Sequence, residues 1–183
     1  MTVRRFFLFA FAAALAAGLG CSNDDDSTPS GPALVCTDGG DAAANEVNTN
    51  CGAALDAVTE RVDIVMGGPA TGTTTIMGLS FDVTYDPTRL SFAPAASYTS
   101  PLFPPPALIA VSSPAEGRVI VGIQQTGDLP PISVTPGQHV VLSLTFEVAG
   151  PTFPSTPLGM ENTQATNASA PISFDSGTAI AYQ

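Results

Sequence analysis

The 183-residue chain carries 16 acidic side chains against five basic ones, a formal net charge of −11, and it has neither lysine nor tryptophan. Nucleic-acid phosphates would repel such a chain, and it lacks the basic patch that binding them requires, so that class of partner is excluded. Its low charge content, with 17 Gly and 17 Pro, points to short strands joined by turns, and its length suits one domain with a sizeable core.

The first 20 residues read as a leader. Arg4 and Arg5 precede an apolar run from Phe6 to Leu19, followed by small residues and then by Cys21-Ser22-Asn23-Asp24-Asp25-Asp26. A basic start, a short apolar run and small residues before a cut make a secretory signal peptide. The run falls short of the roughly 20 residues that a membrane-spanning helix needs. With Gly20 and Cys21 at the cut, the segment resembles a bacterial lipoprotein signal, although Gly18 stands where the usual motif has leucine. That resemblance implies removal of residues 1–20 and diacylation of Cys21, which would hold the protein to a membrane through its lipid. An ordinary secretory cut near Ala16-Ala17-Gly18 is the alternative, leaving Cys21 as a spare thiol. Ser22 after the cysteine resembles lipoproteins sent to the outer membrane, so the expected location is that membrane, facing periplasm or surface. Arg4-Arg5-Phe6-Phe7-Leu8 partly resembles a twin-arginine signal, but the long apolar run suits the general secretory route. The mature chain would keep three arginines against 16 acidic residues, a net charge of −13.

Residues 21–33 lack apolar periodicity and read as a flexible acidic tether. The triplet Asp24-Asp25-Asp26 is solvated charge on this reading, not a metal site. Next come Cys36 and Cys51. In an oxidising compartment two cysteines so spaced most simply pair with each other. Closing a loop of about 15 residues would stabilise the fold by around 3 kcal/mol. A metal reading lacks a CxxC and a second pair, and the chain has one histidine. Asp38 and Asp41 do not have the spacing of a calcium loop.

From Thr59 onward the chain reads as strands within a domain spanning 34–183. Gly78–Asp86 alternates strictly, with Leu79, Phe81, Val83 and Tyr85 on one face and Ser80, Asp82 and Thr84 on the other. Asp86-Pro87 makes the following turn, and Arg89–Phe92 resumes extended structure. Gly117–Gln124 repeats the pattern through Val119, Val121 and Ile123. In His139–Val148 the inward series is Val140, Leu142, Leu144, Phe146 and Val148. Leu34–Thr37, Glu60–Met66, Leu108–Ser112 and Ile172–Tyr182, broken near Ser176-Gly177, complete the expected strands. Only Ala53–Val58 leaves room for a helical turn. The clusters Pro101–Pro106 and Pro130-Pro131 belong in rigid loops, since proline cannot donate to a central ladder. Seven to nine such strands make an all-β, two-sheet antiparallel β-sandwich.

The segment Gly78-Leu79-Ser80-Phe81-Asp82-Val83-Thr84-Tyr85-Asp86-Pro87-Thr88-Arg89-Leu90 resembles the G-x-x-F-x-L-x-Y-D-P-x-x-L stretch of cohesin domains. Gly117–Gly122, Leu142–Val148 and Pro171–Thr178 are similar to later blocks of that family, in the same order, so the resemblance covers residues 58–182. It implies a jelly-roll (cohesin-like) topology and a module that binds a dockerin-like protein. The disulfide loop departs from the family pattern, as does the single copy without an attached enzyme.

No catalytic arrangement emerges. His139 opens a strand after a Pro136-Gly137 turn, where an exposed side chain is expected, and no nucleophile elbow or Ser-His-Asp order appears. No cofactor is implied. Flat sugar-binding platforms rely on Trp or Tyr, and the chain has only Tyr85, Tyr98 and Tyr182. Tyr98 and Phe103, in the loop Ser97–Pro106, are the candidate exposed contacts, with packing of that loop onto the sandwich rim as the alternative. The expected function is a membrane-anchored, non-catalytic binding module that recognises a dockerin-like protein or a polysaccharide. A carbohydrate-binding module and a purely structural envelope lipoprotein are the competing readings.

Overall fold

The computed structural model describes residues 31–183; Cys21 and the leader lie outside them. Fourteen strands follow one another: β1 (Leu34–Thr37), β2 (Glu46–Cys51), β3 (Thr59–Gly67), β4 (Thr74–Ile76), β5 (Gly78–Thr84), β6 (Leu90–Ala93), β7 (Leu108–Ala115), β8 (Arg118–Gln124), β9 (Ile132–Val134), β10 (Gln138–Val148), β11 (Phe153–Pro157), β12 (Gly159–Thr166), β13 (Ser173–Phe174) and β14 (Ala179–Tyr182). Among the described residues there is no helix, and Ala53–Val58, expected to allow a helical turn, forms bends that lead into β3.

Two sheets make the sandwich. One has the order β13-β2-β3-β10-β6 and the other β12-β5-β8-β7; β1-β14-β11 and β4-β9 form smaller sheets. The alternation in the sequence explains the core between them. Val62 and Ile64 from β3 and Leu144 and Phe146 from β10 meet Phe81 and Val83 from β5 and Val119 and Val121 from β8, all fully buried. Burying side chains of this size stabilises the fold by about 1.5–3 kcal/mol each before entropy is counted. Tyr85 is half-buried and packs edge-on against Phe146 at 5.3 Å between ring centroids. The pairing is antiparallel except for β13 against β2, which is parallel.

One expected face assignment changes, and one outward residue is buried. In β10 the pairing to β3 slips between Val140 and Leu142. This bulge turns Val141 inward, where it is fully buried, and leaves Val140 half-buried. In β5, Asp82 points away from the core as the alternation predicts, yet it is only 3% exposed. Neighbouring strands cover it, as described below.

Cys36 and Cys51 are joined as a disulfide, which fastens β1 to β2 and so ties the small sheet to the sandwich. Beside it, Gly39 and Gly177 meet backbone to backbone. A Cβ on Gly39 would lie 2.6 Å from the Gly177 Cα, so only glycine allows this approach. The Gly177 N–H donates to Asn48 Oδ1 at 2.8 Å, and Thr178 Oγ1 donates to the Thr49 carbonyl, which docks the C-terminal strand onto β2.

Candidate protein-docking surface

Directly opposed residues of antiparallel strands share a face, so the registers of β12, β5, β8 and β7 specify the outer surface of their sheet. One row runs Gln164, Ser80, Gly122, Ala110; the next runs Glu161, Asp82, Ile120, Ser112; the third runs Thr84, Arg118, Ala115. Six of these eleven residues, Ser80, Gly122, Ala110, Ser112, Thr84 and Ala115, are no larger than threonine. Gly122 sits mid-strand, where glycine is destabilising by roughly 0.5–1 kcal/mol. A Cβ added there would meet nothing within 4 Å, so internal packing does not require glycine. A strand glycine with open space above it marks a place where another molecule can approach closely.

The polar centre of this face is Asp82. Arg118 and the side-chain amide of Asn162 both donate to its Oδ2. Asn162 reaches it because β12 changes register between Glu161 and Gln164, with Asn162 at φ 49°. The chain's own donors therefore neutralise a carboxylate that would otherwise be costly to bury. Alternation alone hid this arrangement, although Gly122 inside the regular Gly117–Gln124 strand was a visible signal.

At one end of the face the Asp86-Pro87-Thr88-Arg89 turn is closed locally. Asp86 Oδ1 accepts from the Thr88 hydroxyl at 2.7 Å and the Thr88 N–H at 2.9 Å, and Arg89 Nε lies 3.1 Å from its Oδ2. The Thr88 hydroxyl and N–H, helped by Arg89, hold the Asp86 carboxyl below its usual range. Arg89 also stands over the Phe153 ring at 5.8 Å.

The sequence-predicted loop residues divide. Phe103 is 1% exposed and belongs to the core, which corrects its assignment as an exposed contact. Its N–H donates to Ser100 Oγ, which folds the proline-rich loop inward. Tyr98 is half-buried and its hydroxyl accepts the Ala95 N–H at 3.0 Å. Both line a cavity of about 310 Å³ that reaches Leu108 and Ile109 at the start of β7. On the other side of this loop, His139 and Gln138 line a groove of about 570 Å³ with Leu102 and Ile132. His139 is half-buried, not exposed as expected, with Nε2 2.7 Å from the Thr135 carbonyl oxygen. Cys36, Asp38 and Cys51 cluster within metal-ligand distance, but both sulfurs are consumed in the disulfide, and Asp38 accepts the Cys51 N–H. That donor set does not suit a metal.

No protein-family model matches the chain, and no curated protein matches it in sequence. Solved structures do match. One is the type II cohesin–X–dockerin complex from Acetivibrio cellulolyticus, with TM-score 0.52 and 14% identity over 72% of this chain and 95% of the matched chain. The chain has a cohesin-like fold. The type I cohesin–dockerin complex from Clostridium thermocellum gives TM-score 0.51 at 9% identity, covering 75% of this chain and 91% of the other. A non-cellulosomal cohesin from the archaeon Archaeoglobus fulgidus gives 0.50 at 11%, covering 72% and 86%. The cohesin-like body thus accounts for most of the described residues, and at these identities the likeness concerns fold.

Proposed function

We propose that this protein is a non-catalytic binding module that docks a dockerin-like protein on the outer face of the β12-β5-β8-β7 sheet. The observation that carries the reading is Gly122, a glycine without internal need that lies between Ser80 and Ala110 on the outer face. Two of the similar structures are cohesin–dockerin complexes by name, which supports a protein partner. A sugar platform is less well supported. Tyr85 packs on Phe146, Tyr182 packs on Phe153, and all three tyrosines are half-buried, which is poor material for a flat stacking platform. On this reading the leader and Cys21 supply location, holding the module at the outer membrane by lipid.

The test is capture from envelope and secreted fractions of the producing cell, with the full chain tagged at its C-terminus and a Gly122→Arg variant beside it. The expected result is a protein carrying a small paired-helix calcium module, retained by the native chain and lost from the variant. Capture of polysaccharide alone, equal in both, would refute the reading. Lipid attachment has its own readout: labelled palmitate should enter the native chain and not Cys21→Ser.

A further inference from the structure

We infer that the outer edge of β7, from Leu108 to Ser113, accepts an extended segment of a partner protein, one with an apolar side chain flanked by lysine or arginine. This concerns the edge of the sheet and does not rest on the reading of its face.

A sheet edge presents unpaired N–H and C=O groups, and proteins normally blunt long edges. The other edges here are blunted or short. β12 has its register shift at Glu161–Gln164, β11 contains Pro154 and Pro157, and β1 and β6 have four residues each. β7 has eight residues, and its proline, Pro114, and its register shift between Ser112 and Ala115 are confined to the far end. Leu108-Ile109-Ala110-Val111-Ser112-Ser113 has no charge and no proline. Among the described residues its backbone hydrogen-bonds only within the ladder to β8.

A second feature adjoins the first. The cavity of about 310 Å³ beside Tyr98 and Phe103 is lined also by Leu108 and Ile109 of β7, and Leu108 is 63% exposed. In strand addition, main-chain hydrogen bonds supply affinity while pockets for side chains supply specificity. This cavity has room for one large apolar side chain of an added strand.

Charge selects the occupant. Glu116 follows the far end of β7, in the turn to β8. Asp128 lies near the other end, in a loop tied down by Thr126 Oγ1 donating to the Pro106 carbonyl at 2.7 Å. Both are exposed. Every arginine of the described residues is already matched to an aspartate, Arg61 to Asp63, Arg89 to Asp86 and Arg118 to Asp82, so neither acid is compensated by one. A second copy adding antiparallel would set Glu116 against Asp128 at both ends, which is repulsive. A strand with basic residues at its ends meets an opposite charge at each.

The experiment uses the full-length protein, the probe peptide acetyl-KTVLVTK-amide and its glutamate-ended counterpart acetyl-ETVLVTE-amide, with amide hydrogen exchange followed by mass spectrometry. The lysine-ended peptide should slow exchange within Leu108–Ser113, and the glutamate-ended one should bind about tenfold more weakly or worse. Leu108→Lys should abolish the protection, and the exposed pair Glu116→Gln with Asp128→Asn should weaken it by about tenfold. Gln164→Arg, on the same face but on β12 at the opposite edge of the sheet, should leave it intact, which separates this site from the sheet face. Absence of protection at millimolar peptide, equal binding of the two peptides, or loss in Gln164→Arg would overturn the inference. So would a dimer in sedimentation that Leu108→Lys dissolves, since the edge would then belong to a second copy.

Discussion

Arg118 on β8 covers the carboxylate of Asp82 on β5, leaving the aspartate side chain 4% exposed while the arginine keeps 45%. The two roles are unequal. Asp82 is committed to the fold, whereas Arg118 faces solvent on the candidate docking surface. Arg118→Ala should therefore destabilise the protein by about 1–3 kcal/mol, because it strips a donor from a buried carboxylate. Asp82→Ala with Arg118→Ala should cost less than the two single losses added together, since the residues share one interaction. Urea unfolding of the four proteins measures this coupling.

The Cys36–Cys51 disulfide closes a loop with a sequence separation of 15. Reduction, or Cys36→Ser with Cys51→Ser, should cost about 3 kcal/mol. The loss should appear first as faster amide exchange in β1, whose attachment to β2 runs through this bond.

Glu60 and Asp86 should move stability with pH in opposite directions. Glu60 is 2% exposed and shares the inward side of β3 with Val62 and Ile64. Burial raises its carboxyl above the usual 4.5, against smaller opposing effects of the Arg61 N–H and charge. A raised carboxyl favours the fold while protonated, so its contribution is present below the usual value and lost as pH rises through the folded one. Glu60→Gln has no such loss, and its thermal midpoint should gain on the native protein between about pH 4 and pH 7. Asp86 lies below its usual 3.8, so its contribution is present above that value and lost as pH falls through the folded one. Asp86→Asn should flatten the acid limb of the same curve.

Phe103 and Tyr98, neighbours in one loop, should behave differently. Phe103→Ala removes a fully buried ring and should cost about 3–5 kcal/mol. Tyr98→Phe removes only the acceptor for the Ala95 N–H and should cost about 0.5–1.5 kcal/mol. Thermal unfolding separates them. Equal small effects would mean that Phe103 is a surface contact after all.

Strong alternation made β5, β8 and most of β10 legible from sequence, because one face of each strand must be apolar to close the sandwich. The motif from Gly78 to Leu90 carried the resemblance to cohesins, and the spacing of Cys36 and Cys51, in a chain whose first residues read as an export signal, carried their pairing. Other elements had no such signature. β12, Gly159–Thr166, packs mainly polar residues along a sheet edge, and β2 reads Glu-Val-Asn-Thr-Asn-Cys although Asn48 and Thr49 are buried. The short strands β4, β9 and β11 lack the length over which period two becomes visible. The slip that turns Val141 inward and the burial of Asp82 under Arg118 and Asn162 depend on which strands lie side by side. Local sequence determines which face of a strand is apolar; strand neighbours decide which polar groups are covered, which edges stay open, and where Gly122 leaves open space.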